Sequence, residues 1–384
     1  MLLTALAAVP VVIWIYLLLA RGTFWRVSKS LERPANSESR TKRVIAVIPA
    51  RDEASVIGDA VASLLQQDFP APLEIILVDD ASGDATAATA KSVAERYGAP
   101  ERLTTIQGRP LIPGWTGKLW ALSQGVTVAM ALAPDYLLLT DADIRHGKHS
   151  ITELVAIAEA RRCDLASLMV KLTCETWAEK ALIPAFVFFF LMLYPPAWIA
   201  SDRKRMASAA GGCILIRPEA LQRIGGLASI RSEIIDDCAL ARAVKRSGGQ
   251  IWMGLSATTE SVRSYGTFAE IGRMIARTAF NQLHHSAVIL AGTVLGLFFT
   301  YLVPPLLLLS GRRLIIAFGA VAWLLMAAGY LPMVRFYKRS LVWSFALPAI
   351  ALFYVGATLH SAFCYWSGKG GKWKDRIQDA RASG

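Results

Sequence analysis

The stretch Tyr136-Leu137-Leu138-Leu139-Thr140-Asp141-Ala142-Asp143 decides the fold. Five uncharged residues run straight into Asp-x-Asp, the pattern of a fully buried strand ending in two carboxylates. Two earlier apolar runs end the same way. Residues 44–49 lead into Ala50-Arg51-Asp52-Glu53, and residues 73–78 lead into Asp79-Asp80-Ala81-Ser82-Gly83-Asp84. Helical periodicity fills the gaps at 54–67, 85–97 and 118–132, with a further strand at 103–107. This alternation predicts an α/β domain with a Rossmann-like, mostly parallel, doubly wound sheet. Ligands of such sheets bind beyond the carboxyl ends of the strands, where the acidic residues lie.

The spacing at 141–143 has a chemical reason. Strand side chains alternate faces, so Asp141 and Asp143 point the same way. Two neighbouring carboxylates repel, and a hard divalent cation, Mg²⁺ or Mn²⁺, relieves the repulsion and takes phosphate oxygens as further ligands. A plainer role is open at the second strand, where Asp80, Ser82 or Asp84 suits a helix N-cap. Further on, Gly211-Gly212-Cys213-Ile214-Leu215-Ile216 reads as a strand entered through glycines. Arg217-Pro218-Glu219-Ala220 starts a helix, and Ile234-Ile235-Asp236-Asp237-Cys238-Ala239 starts another. Asp236 and Asp237 fit either a helix start or a general base. A carboxylate opposite a leaving diphosphate would deprotonate an attacking hydroxyl and invert the sugar carbon.

Composition places this domain at a membrane. Of 384 residues, 54% are hydrophobic and only 18% charged, with a net charge of +12. The basic residues flank apolar stretches instead of forming runs with interleaved aromatics, which argues against nucleic acid and for anionic headgroups. Residues 1–20 carry no charge and suit a transmembrane anchor. A basic linker, 21–41, follows with Arg21, Arg26, Lys29, Arg33, Arg40 and Lys42 in or beside it, which places the next domain in the cytoplasm. Uncharged runs at 286–311, 314–334 and 340–368 suggest about three membrane helices within 286–368. Three crossings would leave the basic tail 369–384 outside, against the positive-inside tendency; either one run is re-entrant or interfacial, or the rule fails here. The five cysteines form no CxxC pair and read as reduced thiols.

The motifs Val47-Ile48-Pro49-Ala50-Arg51-Asp52-Glu53, Val78-Asp79-Asp80-Ala81-Ser82-Gly83-Asp84, Gly117-Lys118-Leu119-Trp120, Thr140-Asp141-Ala142-Asp143 and Ile235-Asp236-Asp237 resemble, in this order, family 2 glycosyltransferases of the GT-A fold. The resemblance covers residues 42–260. With its flanking apolar runs the whole chain is similar to the hopene-associated glycosyltransferases of bacteria, and more distantly to ceramide glucosyltransferases. The resemblance implies an integral protein of the bacterial inner membrane with a UDP-sugar donor and a membrane lipid acceptor, a hopanoid or related polyisoprenoid. It implies that Glu53 and Asp80 hold the uridine, that Lys118 lies near the diphosphate, and that Asp141 contacts the nucleotide sugar. Asp143, with Asp141, would hold the metal, Asp237 would be the base with Asp236 beside it, and Arg277 would contact phosphate. Two departures stand out: Asp52 replaces the usual Asn, and no Trp follows Arg277. The second argues against a processive polysaccharide synthase.

If the apolar run 181–201 crossed the membrane once, Asp143 and Asp237 would face opposite compartments. It is therefore expected to lie at the membrane surface, as is a helix within 261–285. Transfer to a polyprenyl phosphate, a ceramide-like lipid or a glycerolipid is the alternative reading. A nucleotidyltransferase is disfavoured because residues 49–53 lack glycine. A non-catalytic scaffold is disfavoured because every key carboxylate is present.

Overall fold

The structure, a computed structural model, describes residues 2–27, 42–71, 73–368, 372–373 and 376–377. Most of the expected basic linker, including Lys29, Arg33 and Arg40, and most of the tail lie outside the described residues. The chain forms two compact units. One comprises Ser28–Thr173, Trp198–Arg263 and Lys372–Gly384; the other comprises Met1–Val27, Cys174–Ala197 and Ser264–Gly371.

The first unit is built on an eight-stranded sheet. Its strands are β1 (Val44–Ala50), β2 (Glu74–Asp79), β3 (Leu103–Gln107), β4 (Tyr136–Thr140), β5 (Ile144–Arg145), β6 (Leu165–Lys171), β7 (Cys213–Ile216) and β8 (Ile251–Ser261). They lie in the order β3-β2-β1-β4-β7-β6-β8-β5. β1 and β4 are buried along their whole length, as uncharged central strands must be, whereas the edge strand β3 is half exposed. Parallel pairs join β1 to β2 and β4, β2 to β3, and β6 to β8. β7 runs antiparallel to both β4 and β6, and β5 antiparallel to β8, so the sheet is mixed with parallel pairs dominant. The chain between β6 and β7 is no crossover helix on this sheet, because Cys174–Ala197 belongs to the other unit. Without a βαβ crossover, nothing holds β7 parallel to its neighbours.

This register creates the site. Ala50 pairs with Asp79, so β1 and β2 end at one edge. β4 runs the same way, and Thr140 pairs with Cys213 at the start of antiparallel β7. The Asp-x-Asp at the end of β4 therefore stands beside the glycines that open β7. Helix Gly117–Ala131 packs closely on this part of the sheet through Gly125. A Cβ added there would lie 2.4 Å from Val47 Cγ1 and 2.7 Å from Val78 Cγ2.

The second unit is helical. Among the described residues, four helices are long and apolar enough to cross a membrane: Trp177–Ile199, Ala287–Leu307, Arg313–Phe336 and Leu341–Trp366. The N-terminal helix Leu2–Leu19 is shorter, about 27 Å at 1.5 Å per residue. Trp14 anchors it by donating to the Thr300 carbonyl at 2.9 Å and by edge contact with Tyr301. Gly329 admits Leu18 and Trp14 against the third of these long helices.

The apolar run 181–201, expected at the membrane surface, is grouped as far as Ala197 with this helical unit. Its helix begins at Trp177, four residues before the expected start, behind a capping box of Thr176 and Glu179. Phe188 packs on Tyr330, Phe189 on Tyr301 and Tyr354, and the Tyr354 hydroxyl donates to the Leu182 carbonyl. Arg21 donates to the carbonyls of Met192 and Leu193 and closes the helix's C-terminal end. Helix Phe268–Gln282 is amphipathic: Ile271, Ile275 and Phe280 are buried, while Arg273 and Arg277 are exposed. All five cysteines are free.

Candidate active site

Lys118 sits in the first turn of the Gly117–Ala131 helix, and its ammonium lies 2.8 Å from Asp141 and 3.3 Å from Asp236. Asp236 and Asp237 open the helix Asp236–Arg246, whose N-cap is Ile235; neither aspartate is the cap itself. Asp237 Oδ2 accepts the Gly211 backbone N–H at 2.8 Å, and Oδ1 accepts that of Cys238 at 2.6 Å. Gly211 eases this approach, since a Cβ there would stand a tight 3.3 Å from Asp237 Oδ2. The four side chains share a pocket of about 340 Å³, part of it open to solvent, walled by Leu119, Leu122, Leu139 and Leu240.

Apolar walls set the charge states. Burial works against the Lys118 ammonium, but Asp141 and then Asp236 outweigh it, so the lysine's pKa is raised and it stays charged. Burial first, and then the charge of Asp236, push the Asp237 carboxyl up to about 6, with Lys118 pulling the other way. His146, behind β4, bonds Thr140 Oγ1 through Nε2; burial lowers its pKa to about 3 and keeps it neutral.

A second cluster joins the ends of β1, β4 and β8. Arg263 Nε donates to Asp143 Oδ2 at 3.0 Å, and Arg263 Nη2 reaches both oxygens of Glu53 at 2.7 Å. Sequence reasoning missed Arg263. It lies 120 and 210 residues from its partners, in no motif, and only the β5–β8 pairing delivers it. Asp80 is almost fully buried, with Arg51 Nη1 3.7 Å from its carboxylate and donating to its carbonyl. The loops after β1 and β2 are laced together: Asp52 accepts from Gly83, and Asp84 from Ala54 and Thr86. Asp52 and Ala81 hold left-handed backbone, with φ of 52° and 55°, a costly conformation that clusters at functional loops. Arg277 belongs to the helical unit, on the exposed face of Phe268–Gln282.

The residues present suit a divalent cation in one respect. Asp141 and Asp143 are hard oxygen donors, and each already holds a protein cation, Lys118 or Arg263. Among the described residues, however, no three His, Cys, Asp or Glu side chains gather as a finished ligand set. A cation there would draw its remaining ligands from phosphate or water, as Mg²⁺ sites commonly do.

A mixed, parallel-dominant sheet of this kind is the fold of the GT-A class. The chain belongs to the glycosyltransferase-like family 2, whose model matches residues 42–281. The 4,4'-diaponeurosporenoate glycosyltransferase of Staphylococcus aureus strain MRSA252 is 34% identical over 105 residues, 27% of this chain. The match spans about a quarter of that relative's length, 24%. Mannosyltransferase PcManGT from Pyrobaculum calidifontis, solved with GDP-Man and Mn²⁺, is 18% identical, with a TM-score of 0.54 over 94% of this chain and 98% of that one. At this identity the likeness concerns the fold.

Proposed function

We propose that the protein is an inverting transferase that moves a sugar from a nucleoside-diphosphate sugar, a UDP-sugar by the sequence resemblance, to a hydroxyl of a membrane lipid of polyisoprenoid or hopanoid type. The observation that carries this reading is the pairing of Lys118 with Asp141 and Asp236 beside a half-buried Asp237. Lys118 neutralises one carboxylate of the acidic pair and leaves the other, with its raised pKa, to act as base. The acceptor oxygen attacks the anomeric carbon, its proton passes to Asp237, and the bond to the diphosphate breaks with inversion. Lys118 then offsets charge on the departing diphosphate. A divalent cation held by Asp141 and Asp143 would add to that compensation.

Glu53 and the buried Asp80 are assigned to the nucleoside, and Arg277 to phosphate. The lipid acceptor is supported by the four membrane-length helices and by the partial relative named for diaponeurosporenoate. The sheet unit is assigned to the cytoplasmic side of a bacterial inner membrane, where nucleotide sugars are made. The test is nucleotide release by membranes carrying the protein, across UDP-sugars and GDP-mannose, with and without lipid extract. Product masses from the extract identify the acceptor. Release that ignores added lipid would sink the acceptor assignment.

A further inference from the structure

Three successive residues at the end of β8 converge on Asp143. The Val262 N–H donates to its carbonyl at 2.8 Å, Ser261 Oγ donates to Oδ2 at 3.0 Å, and Arg263 Nε donates to the same Oδ2 at 3.0 Å. The far side of the guanidinium grips Glu53, which is buried after the end of β1. One rigid fork thus ties two carboxylates from distant parts of the chain, the geometry for which Arg is suited and Lys is not.

Glu53, Asp141, Asp143, Asp236 and Asp237 stand against Lys118 and Arg263. A diphosphate adds negative charge to an already acidic site, which a divalent cation bound with it would offset. That cation and the guanidinium, which already holds Oδ2 of the Asp143 carboxylate, repel each other.

We infer that Arg263 is a resident counter-cation: it holds Asp143 to Glu53 while the site has no donor, and its charge opposes a divalent cation on the Asp143 carboxylate until a diphosphate arrives. This rests on the assignment of Asp143 as a metal ligand in the proposed function. Two consequences follow. Metal alone binds weakly, because it binds against the fixed charge of the guanidinium. Metal with a nucleoside diphosphate binds tightly, because phosphate oxygens offset the charge of both cations. Arg263 is a positioning residue and makes donor and metal bind as a coupled pair.

The test is a Mn²⁺ titration of the full chain in detergent, followed by the electron paramagnetic resonance signal of free Mn²⁺, with and without UDP. Wild type should bind Mn²⁺ alone weakly and gain affinity with UDP. Arg263→Gln should bind Mn²⁺ alone at least about tenfold more tightly and lose most of the UDP-dependent gain. Adding Asp143→Asn should abolish the tightening. A merely structural arginine predicts the opposite sign, since its loss would loosen the site and weaken Mn²⁺. Unchanged or weaker Mn²⁺ binding by a monodisperse Arg263→Gln protein overturns the inference. If that variant fails to fold, Arg263→Lys, which keeps charge but loses the fork, should show a smaller tightening; no tightening there overturns it equally. Sugar transfer is not read out. Tightening in a protein that transfers no sugar would therefore contradict the proposed activity alone, and transfer without tightening would contradict only the role of Arg263.

Discussion

Asp237 is held between opposing influences. Burial and Asp236 favour its neutral form, Lys118 favours the carboxylate, and the balance is a pKa of about 6. A base is most useful when its pKa lies near the working pH. Below about 6 the carboxyl is protonated and cannot take the acceptor's proton. Turnover should therefore fall about tenfold per pH unit on the acid side and level off above it, as a pH profile of nucleotide release would show. Lys118→Met removes the largest pull toward ionisation and leaves only the Cys238 and Gly211 N–H groups, so the acid limb should move to higher pH with a lower plateau. A limb that stays in place would separate Lys118 from the base. Asp237→Asn should lower turnover by about 10²–10⁴-fold while the protein still folds. The residues of this cluster were legible because each sits at the end of an apolar run or the start of a helical one. Arg263 was not, because a single arginine after a strand carries no local pattern.

At the scale of elements, the close seat of helix Gly117–Ala131 on β1 and β2 sets where Lys118 emerges. Gly125→Val would force a side chain into Val47 and Val78, and overpacking of this kind costs about 1–3 kcal/mol. The apparent unfolding temperature in detergent should drop by several degrees, with transfer activity reduced in the same preparation. The four strands up to Thr140 were legible in the sequence because short apolar runs alternating with helical patterns have few other readings. The long strands Leu165–Lys171 and Ile251–Ser261 were not singled out. The antiparallel setting of Cys213–Ile216 follows from an excursion of the chain into another unit, which residue periodicity does not report. Yet that setting brings Gly211 to Asp237 and so completes the pocket.

For the whole molecule, an apolar run of about twenty residues reads equally well as a core helix, an interfacial one or a span, so length and composition recovered the helices but not the company each keeps. The helix Trp177–Leu193 shows this: its aromatic residues pack on Tyr301, Tyr330 and Tyr354 of the helical unit. The protein should remain in the membrane pellet after alkaline carbonate washing. Protease should cut the sheet unit in inverted vesicles and spare it in right-side-out ones; the reverse pattern would refute the cytoplasmic assignment.

The central claim is that Asp237 and its neighbours transfer sugar from a nucleotide to a lipid. It is tested most directly by nucleotide release from membranes supplied with lipid extract, run beside Asp237→Asn and EDTA-treated samples. Lipid-dependent release that both controls abolish is the predicted result. Release that persists in Asp237→Asn, or no release with any nucleotide sugar from a folded protein, would contradict it.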